Sequence, residues 1–351
     1  VSLQRISAEQ ALERLADYAD VIDARSEGEY AEDHLPGAVN WPSLNDEERR
    51  IVGTRYKQIS QFEAQKLGAA LVAKNIAAHI QREVLGKPRE WQPLVYCWRG
   101  GKRSGSLALV LDQIGFRVTL VDGGYKAFRA ALVADLPQRA ARHQYRVVCG
   151  PTGAGKTRLL HALADQGGQV LDLEGLARHR SSVLGMLPGV PQPSQKAFDR
   201  LIWTCLRGFD PLRPVYVESE SKKVGNLAVP QGLLDAMRTS PCLRLDLAED
   251  ERVALLLEDY AFFATDIEFF CERLAALTEA RGKVQVQDWQ ARARSGAVAA
   301  VVRELLVHHY DPAYRQSIRR NFERYDKASV LAPRDHSPAA MAALAQTLLA
   351  A

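Results

Sequence analysis

Tyr145-Arg146-Val147-Val148-Cys149 runs directly into Gly150-Pro151-Thr152-Gly153-Ala154-Gly155-Lys156-Thr157, and an apolar-periodic stretch continues to Ala164. The first five residues read as a buried strand, and the residues from Thr157 onward as a helix. The loop between them meets G-x-x-x-x-G-K-[ST] at every fixed position. Gly150, Thr152, Gly153, Ala154 and Gly155 offer backbone N–H groups to a di- or triphosphate. Lys156 reaches the outer phosphate, and Thr157 is suited to hold Mg²⁺. Strand, phosphate loop and helix together call for an α/β fold. The loop does not name its ligand: no base-reading N-K-x-D is present, so a nucleoside triphosphate is not implied and another pyrophosphate stays open.

Downstream, Gln169 to Leu173, Pro214 to Val217 and Cys242 to Leu247 read as further strands of the same sheet. Asp172, Glu174, Glu218 and Glu220 stand near those strand ends, where a carboxylate can organise Mg²⁺ beside a phosphate. From Asp250 the pattern is almost wholly helical, and Ala339 to Ala351 reads as a surface helix or frayed tail. Upstream, Asp135 to His143 is polar and basic and contains Pro137, the composition of a linker. Before it, Val21 to Ala24, Leu94 to Tyr96 and Val118 to Val121 read as strands, with a helix start at Glu27 and helical periodicity from Phe62 to Ile80. The expected organisation is an α/β domain over 1–136, a linker over 137–144, a P-loop α/β domain over 145–250, and a mainly helical region over 251–351 packed on the P-loop domain.

The first domain carries its own anion site. The run Pro93-Leu94-Val95-Tyr96 ends at Cys97, and Trp98-Arg99-Gly100-Gly101-Lys102-Arg103-Ser104 leads into a helical pattern. A thiol between a strand end and a helix start meets converging N–H groups and the positive end of the helix dipole, which favours thiolate. Two glycines allow a tight loop, and three basic side chains add positive charge. A single cysteine is ordinarily a small hydrophobe, which suits Cys149, Cys205, Cys242 and Cys271. It suits Cys97 badly, and Cys97 is the expected catalytic residue. The spacing is Cys-x5-Arg, one residue longer than the usual sulfurtransferase loop and equal to that of cysteine phosphatases. A phosphatase or sulfurtransferase joined to a P-loop kinase is therefore the competing reading. Against the phosphatase, Tyr96 rather than His precedes the cysteine and no general-acid Asp follows closely.

The 351 residues suffice for two or three domains, and 47% hydrophobic with 25% charged residues is a globular composition. A net charge of +4 permits a polyanionic partner without demanding one. The five cysteines show no C-x-x-C or Cys/His ligand spacing, so neither a disulfide framework nor a structural metal is expected. Free thiols fit a reducing, cytoplasmic setting. No signal peptide is visible, and no apolar run approaches the ~20 residues of a membrane span.

The first domain resembles rhodanese. The likeness rests on Asp23-Ala24-Arg25 with Glu29-Tyr30, on His34-Leu35-Pro36-Gly37-Ala38-Val39-Asn40, and on Val121-Asp122-Gly123-Gly124-Tyr125-Lys126-Ala127. The whole chain resembles the tRNA 2-selenouridine synthase family. Further stretches carry this: Asn45 to Arg49, Gly53 to Gln58, Arg99 to Ser104, Asp172 to Arg180, Val217 to Ser221, and Tyr310-Asp311-Pro312-Ala313-Tyr314. Two departures stand out, Ser181-Ser182 where Gly-Ser is expected and Ser219 where Asp is expected between Glu218 and Glu220.

The resemblance implies a two-step change at the wobble uridine of tRNA. Geranyl diphosphate alkylates 2-thiouridine, and selenium from selenophosphate then replaces the geranylthio group. No tightly bound cofactor is expected, and Mg²⁺ is a candidate ion at the P-loop. As a hypothesis beyond the resemblance, the two anion sites divide the labour: the P-loop is expected to hold geranyl diphosphate, and the Cys97 loop selenophosphate or a Cys97 perselenide. For the tRNA, Arg315, Arg319, Arg320 and Arg324, interleaved with Tyr314, Phe322 and Tyr325, read as a basic aromatic helix. A geranyl chain also needs an apolar groove; the stretch Tyr260 to Phe263, with Ile267, Phe269 and Phe270, is a candidate wall, but ordinary helix packing is the better reading of it.

Overall fold

The computed structural model describes residues 3–180 and 189–350. Ser181-Ser182 lie outside the described residues. The chain divides into two compact units, Val1–Asp135 and Leu136–Ala351.

The first unit runs β1 (Gln4–Ile6), α1 (Ala8–Arg14), β2 (Asp20–Asp23), α2 (Glu27–Glu32), β3 (Ala38–Asn40), α3 (Asp46–Gln58), α4 (Gln61–His79), β4 (Pro93–Tyr96), α5 (Lys102–Ile114) and β5 (Thr119–Val121), and ends inside α6 (Gly124–Ala141). Its sheet has the order β1-β5-β4-β2-β3, and every pairing is parallel. All four residues of β4 are buried, as a parallel strand covered on both faces must be. β1 is a three-residue strand with two exposed positions, too short for the sequence to signal. The chain order switches direction between β2 and β4, and open parallel sheets form their sites at the carboxyl ends of strands beside such a switch. Cys97 follows β4 at that point.

The segment expected to be a linker is mostly helix: α6 continues through Pro137 to Ala141. Pro137 removes one hydrogen bond, but Leu136 and Ala140 stay buried four residues apart, so one apolar stripe carries the helix past the proline. A Cβ on Gly232 would lie 2.7 Å from the Pro137 ring, so that ring is itself packed.

The second unit continues with β6 (Tyr145–Cys149), α7 (Lys156–Asp165), β7 (Gln169–Leu171), α8 (Leu173–Ala177), α9 (Gln195–Gly208), β8 (Val215–Glu218), β9 (Lys223–Val224), β10 (Leu227–Ala228), α10 (Gln231–Arg238), β11 (Cys242–Leu245) and α11 (Glu249–Asp259). There follow α12 (Ala261–Thr265), α13 (Ile267–Ala275), α14 (Thr278–Arg281), α15 (Lys283–Arg294), α16 (Val298–Leu305), α17 (Asp311–Asn321), β12 (Ser329–Leu331) and α18 (Pro338–Ala350). The main sheet has the order β12-β11-β6-β8-β7, again wholly parallel, while β9 and β10 form a small antiparallel hairpin.

The C-terminal region is mainly helical, as expected, with one strand in it: β12 pairs with β11 and completes the sheet. Its last helix is not a frayed tail: α18 lies at the surface and packs one face inward. Met341 and Ala345 of α18 sit in one core cluster with Leu159, Leu160 and Leu163 of α7 and Val148 of β6. An alanine-rich face hides this role in the sequence, since small residues permit close packing without a strong amphipathic signal. A second cluster, built from Phe263, Phe270, Leu274, Trp289, Val301 and Leu305, holds α12 to α16 together.

Candidate functional site

Cys97 is buried at 3% exposure, and the Ser104 hydroxyl donates to its Sγ over 3.0 Å. The loop is stitched to the start of α6: Tyr125 N–H donates to Cys97 O (2.8 Å) and Lys126 N–H to Trp98 O (3.0 Å). Two glycines make this possible. Gly100 and Gly124 both have positive φ, and a Cβ on Gly124 would lie 2.2 Å from Cys97 O. The N–H groups of Arg99, Gly100 and Gly101 donate to no backbone carbonyl among the described residues, which leaves them for an anion.

A buried polar frame lies beneath the loop. Arg25 pairs with Asp23 at 2.6 Å, both essentially unexposed, and also donates to Asp33 O. The Tyr96 hydroxyl donates to Asp23 Oδ2 (2.7 Å) and the Tyr125 hydroxyl to Asp33 Oδ2 (2.8 Å). The Arg25 guanidinium lies 4.0 Å from the Tyr125 ring centroid, and Tyr125 stacks on Trp98. Burial alone would lower the Arg25 pKa, but the Asp23 hydrogen bond and charge outweigh it and raise it. Removing one partner would leave an uncompensated buried charge, costing about 3–5 kcal/mol.

The three basic side chains of the loop do not act alike. Arg103 turns away to Glu29 (2.6 Å), which Arg49 also approaches at 3.4 Å. Burial works to raise the Glu29 pKa, but hydrogen bonding and charge from Arg103 prevail and lower it. Arg103 therefore braces the loop, while Arg99 and Lys102 are exposed and have no carboxylate partner among the described residues. Sequence spacing could not separate these roles, because the deciding acid is far away in the chain.

In the second unit the P-loop joins β6 to α7 as expected. Lys156 Nζ lies across it and donates to Gly150 O (3.0 Å). Ala154 N–H closes a turn onto Pro151 O (3.1 Å), so that amide is not free for phosphate in this conformation. Gly155 has φ +87°, and a Cβ there would meet Met341 at 2.8 Å; the loop and α18 touch directly.

Three carboxylates converge beside Thr157. Glu174, Glu218 and Glu220 place ligand oxygens within 4.8 Å of one another. Thr157 Oγ1 donates to Glu174 (3.4 Å), and the Glu174 N–H donates to Glu218 Oε1 (3.3 Å). Glu218 is fully buried, and its Oε2 has no hydrogen-bond partner among the described residues. Burial first, then the charges of Glu174 and Glu220, push its pKa well above the usual carboxylate range. An orphaned buried oxygen in a cluster of acids next to a P-loop hydroxyl fits a hard divalent cation. Asp172 does not join the cluster: it caps α8 through Gly175 N–H (2.8 Å) and faces His161. Its local Asx geometry wins over ligation.

Sequence reading missed how α11 and α17 finish this cleft. Arg252 donates to Thr152 O through Nε (3.0 Å) and Nη2 (2.8 Å), and pairs with Asp311 at 2.6 Å. Asp311 is the acid of the Tyr310-to-Tyr314 motif, so that motif clamps the P-loop backbone from outside. Its tyrosines flank the clamp, Tyr314 lining the phosphate cleft and Tyr310 both the cleft and an adjoining apolar pocket. That pocket is walled by Leu256, Tyr260, Phe263, Phe270, Val302 and Leu305, with Thr152 of the P-loop at its edge. Of the aromatic segment singled out in the sequence, Tyr260, Phe263 and Phe270 reach the pocket; Phe262, Ile267 and Phe269 pack on the helical core.

The expected basic aromatic helix is not one element. α17 ends at Asn321, and Phe322 is buried beyond it. Arg315 and Arg319 line a polar pocket with Arg244 and Tyr325. Arg320 faces a different groove, and Arg324 is exposed past the helix end.

These features define a two-unit protein with the Cys97 loop in one parallel α/β unit and a P-loop in the other. Residues 7–131 match the rhodanese-like domain, and residues 143–273 match the tRNA 2-selenouridine synthase AAA domain. The tRNA 2-selenouridine synthase of Chromohalobacter salexigens is 32% identical over 92% of this chain and 93% of its own. The Nitrosomonas eutropha protein of that name is 31% identical over 86% and 88%. The Nitrosomonas europaea protein of the same name is 38% identical over 68% of this chain, a match spanning 63% of its own length. The chain belongs to the tRNA 2-selenouridine synthase family.

Proposed function

We propose that this chain converts wobble 2-thiouridine of a tRNA to 2-selenouridine through an S-geranylated intermediate, with geranyl diphosphate and selenophosphate as co-substrates. The observation that carries this reading is the apolar pocket opening from the P-loop cleft, with Thr152, Leu256, Tyr260 and Tyr310 shared by both. A diphosphate cradle continuous with an aliphatic and aromatic wall suits an amphiphile with a charged head and a hydrocarbon tail. A nucleoside would require polar groups to read its base, and this wall supplies almost none.

In the first step the thiocarbonyl sulfur attacks C1 of the geranyl group. A C–S bond forms, the C–O bond breaks with its electron pair on pyrophosphate, and the uridine loses a proton to solvent. Lys156 and the loop N–H groups offset charge on the departing pyrophosphate. Glu174, Glu218 and Glu220 would hold a divalent cation, which when bound adds Lewis-acid stabilisation of that leaving group. In the second step selenium attacks C2, and the C–S bond breaks to release geranylthiol. Water then cleaves the Se–P bond, giving phosphate. The Cys97 loop serves the selenium donor: Arg99, Lys102 and the free N–H groups meet its phosphate, with Cys97 Sγ beside it.

Mass spectrometry of nucleosides tests this. Thiolated tRNA with geranyl diphosphate alone should yield the geranylated nucleoside, and selenophosphate added next should yield 2-selenouridine. Turnover of a generic phosphate ester with no change in tRNA mass would replace this reading with the phosphatase one.

A further inference from the structure

Beyond the P-loop cleft lies a groove whose lining includes Lys222, Lys223, Arg238 and Arg320 and, among the described residues, no acidic one. Lys222 and Lys223 lie in and just before the β9–β10 hairpin; Arg238 ends α10, and Arg320 stands near the end of α17. Lys222, Lys223 and Arg320 are exposed and form no ion pair among the described residues. Arg238 is fixed by a hydrogen bond to Asn321 Oδ1 (3.2 Å). The groove runs into the P-loop cleft, because Ser221, Ala313, Ser317 and Asn321 line both. Unpaired cations gathered on separate walls of one open groove repel each other, and a chain of phosphates relieves that repulsion. Small uncharged side chains at the junction leave room for one strand to pass toward the cleft.

We propose that this groove binds the sugar-phosphate backbone of single-stranded RNA flanking the nucleoside that enters the P-loop cleft. The proposal rests on the reading that the chain acts on tRNA, and adds the path the strand takes. It places Lys222 and Lys223 as phosphate contacts, keeps Arg320 with them, and leaves Arg315 and Arg319 to the separate pocket they line with Arg244 and Tyr325.

The test uses the full chain and an anticodon stem-loop RNA carrying 2-thiouridine, with binding measured across a salt series. Lys222→Ala/Lys223→Ala should lower the slope of log K against log salt by about 1.4, at ~0.7 per phosphate released on a single strand. Geranyl diphosphate affinity and melting temperature should stay at wild-type values, since both lysines are exposed. Wild-type RNA binding with an unmoved slope in the double variant overturns the groove alone. A slope that moves in Arg315→Ala/Arg319→Ala but not in the lysine variant also overturns it, and sends the strand through the pocket that Arg315 and Arg319 line. No RNA binding by the wild type overturns the tRNA reading and the groove together.

Discussion

Cys97 and Glu218 are the two residues whose surroundings most constrain what they do. The Cys97 thiol is buried, receives the Ser104 hydroxyl, and has unclaimed N–H groups around it. Cys97→Ala should block selenium incorporation while S-geranylated tRNA still accumulates, read by nucleoside mass spectrometry; unimpaired selenation removes Cys97 from the reaction. Glu218 has its pKa raised by burial and by its acidic neighbours. The folded state therefore holds a proton that the unfolded chain releases, and stability falls as pH climbs above the usual carboxylate range toward the folded pKa. Glu218→Gln should flatten that dependence in a series of thermal melts at fixed ionic strength. A cation must displace the proton, so Mg²⁺ should raise the melting temperature more at pH 8 than at pH 6 in the wild type, and at neither pH in Glu218→Gln. Equal Mg²⁺ shifts in both proteins would remove the three-carboxylate site.

At the scale of elements, α11 and α17 meet through Arg252 and Asp311, and together they hold the P-loop at Thr152 O. Arg252→Ala leaves Asp311 as an uncompensated buried charge, so about 3–5 kcal/mol of stability should be lost, measurable by denaturant unfolding. The pocket beside this clamp makes a separable prediction. Val302 lies half-buried on its wall, and Val302→Phe should cut geranylation at least tenfold while pyrophosphate affinity is unchanged; equal loss of both would place the hydrocarbon elsewhere. Sequence legibility follows the same line. The P-loop, the Cys97 loop and the central strands were readable, because each is a local pattern in which spacing dictates conformation. What stayed hidden depends on distant partners. Arg103 answers to Glu29, Asp172 to its own helix start, the alanines of α18 to α7, and β12 to an edge that only the assembled sheet presents. Pro137 misled for a related reason: its local signal says break, and the buried pair Leu136 and Ala140 overrules it.

Over the whole molecule, the two anion sites belong to separate compact units, each complete in its strand, loop and helix. The proposed steps therefore need not be broken by the same substitution. Lys156→Ala removes the only lysine of the P-loop and should abolish geranylation, leaving selenation of an already geranylated tRNA intact. Cys97→Ala should show the opposite pattern. Mixing the two variants in one tube sharpens this further. If the geranylated tRNA leaves the first protein before selenium arrives, the Cys97→Ala chain supplies substrate to the Lys156→Ala chain, and 2-selenouridine reappears. Recovery should scale with the concentration of the Lys156→Ala partner, because transfer between molecules is bimolecular while the wild-type sequence of steps on one chain is not. A mixture that accumulates geranylated tRNA without forming 2-selenouridine would mean that the intermediate is handed over within a single chain. Lys156→Ala failing on purified geranylated tRNA would mean that the P-loop also serves the selenium step, and the assignment of one reaction to each unit would fall.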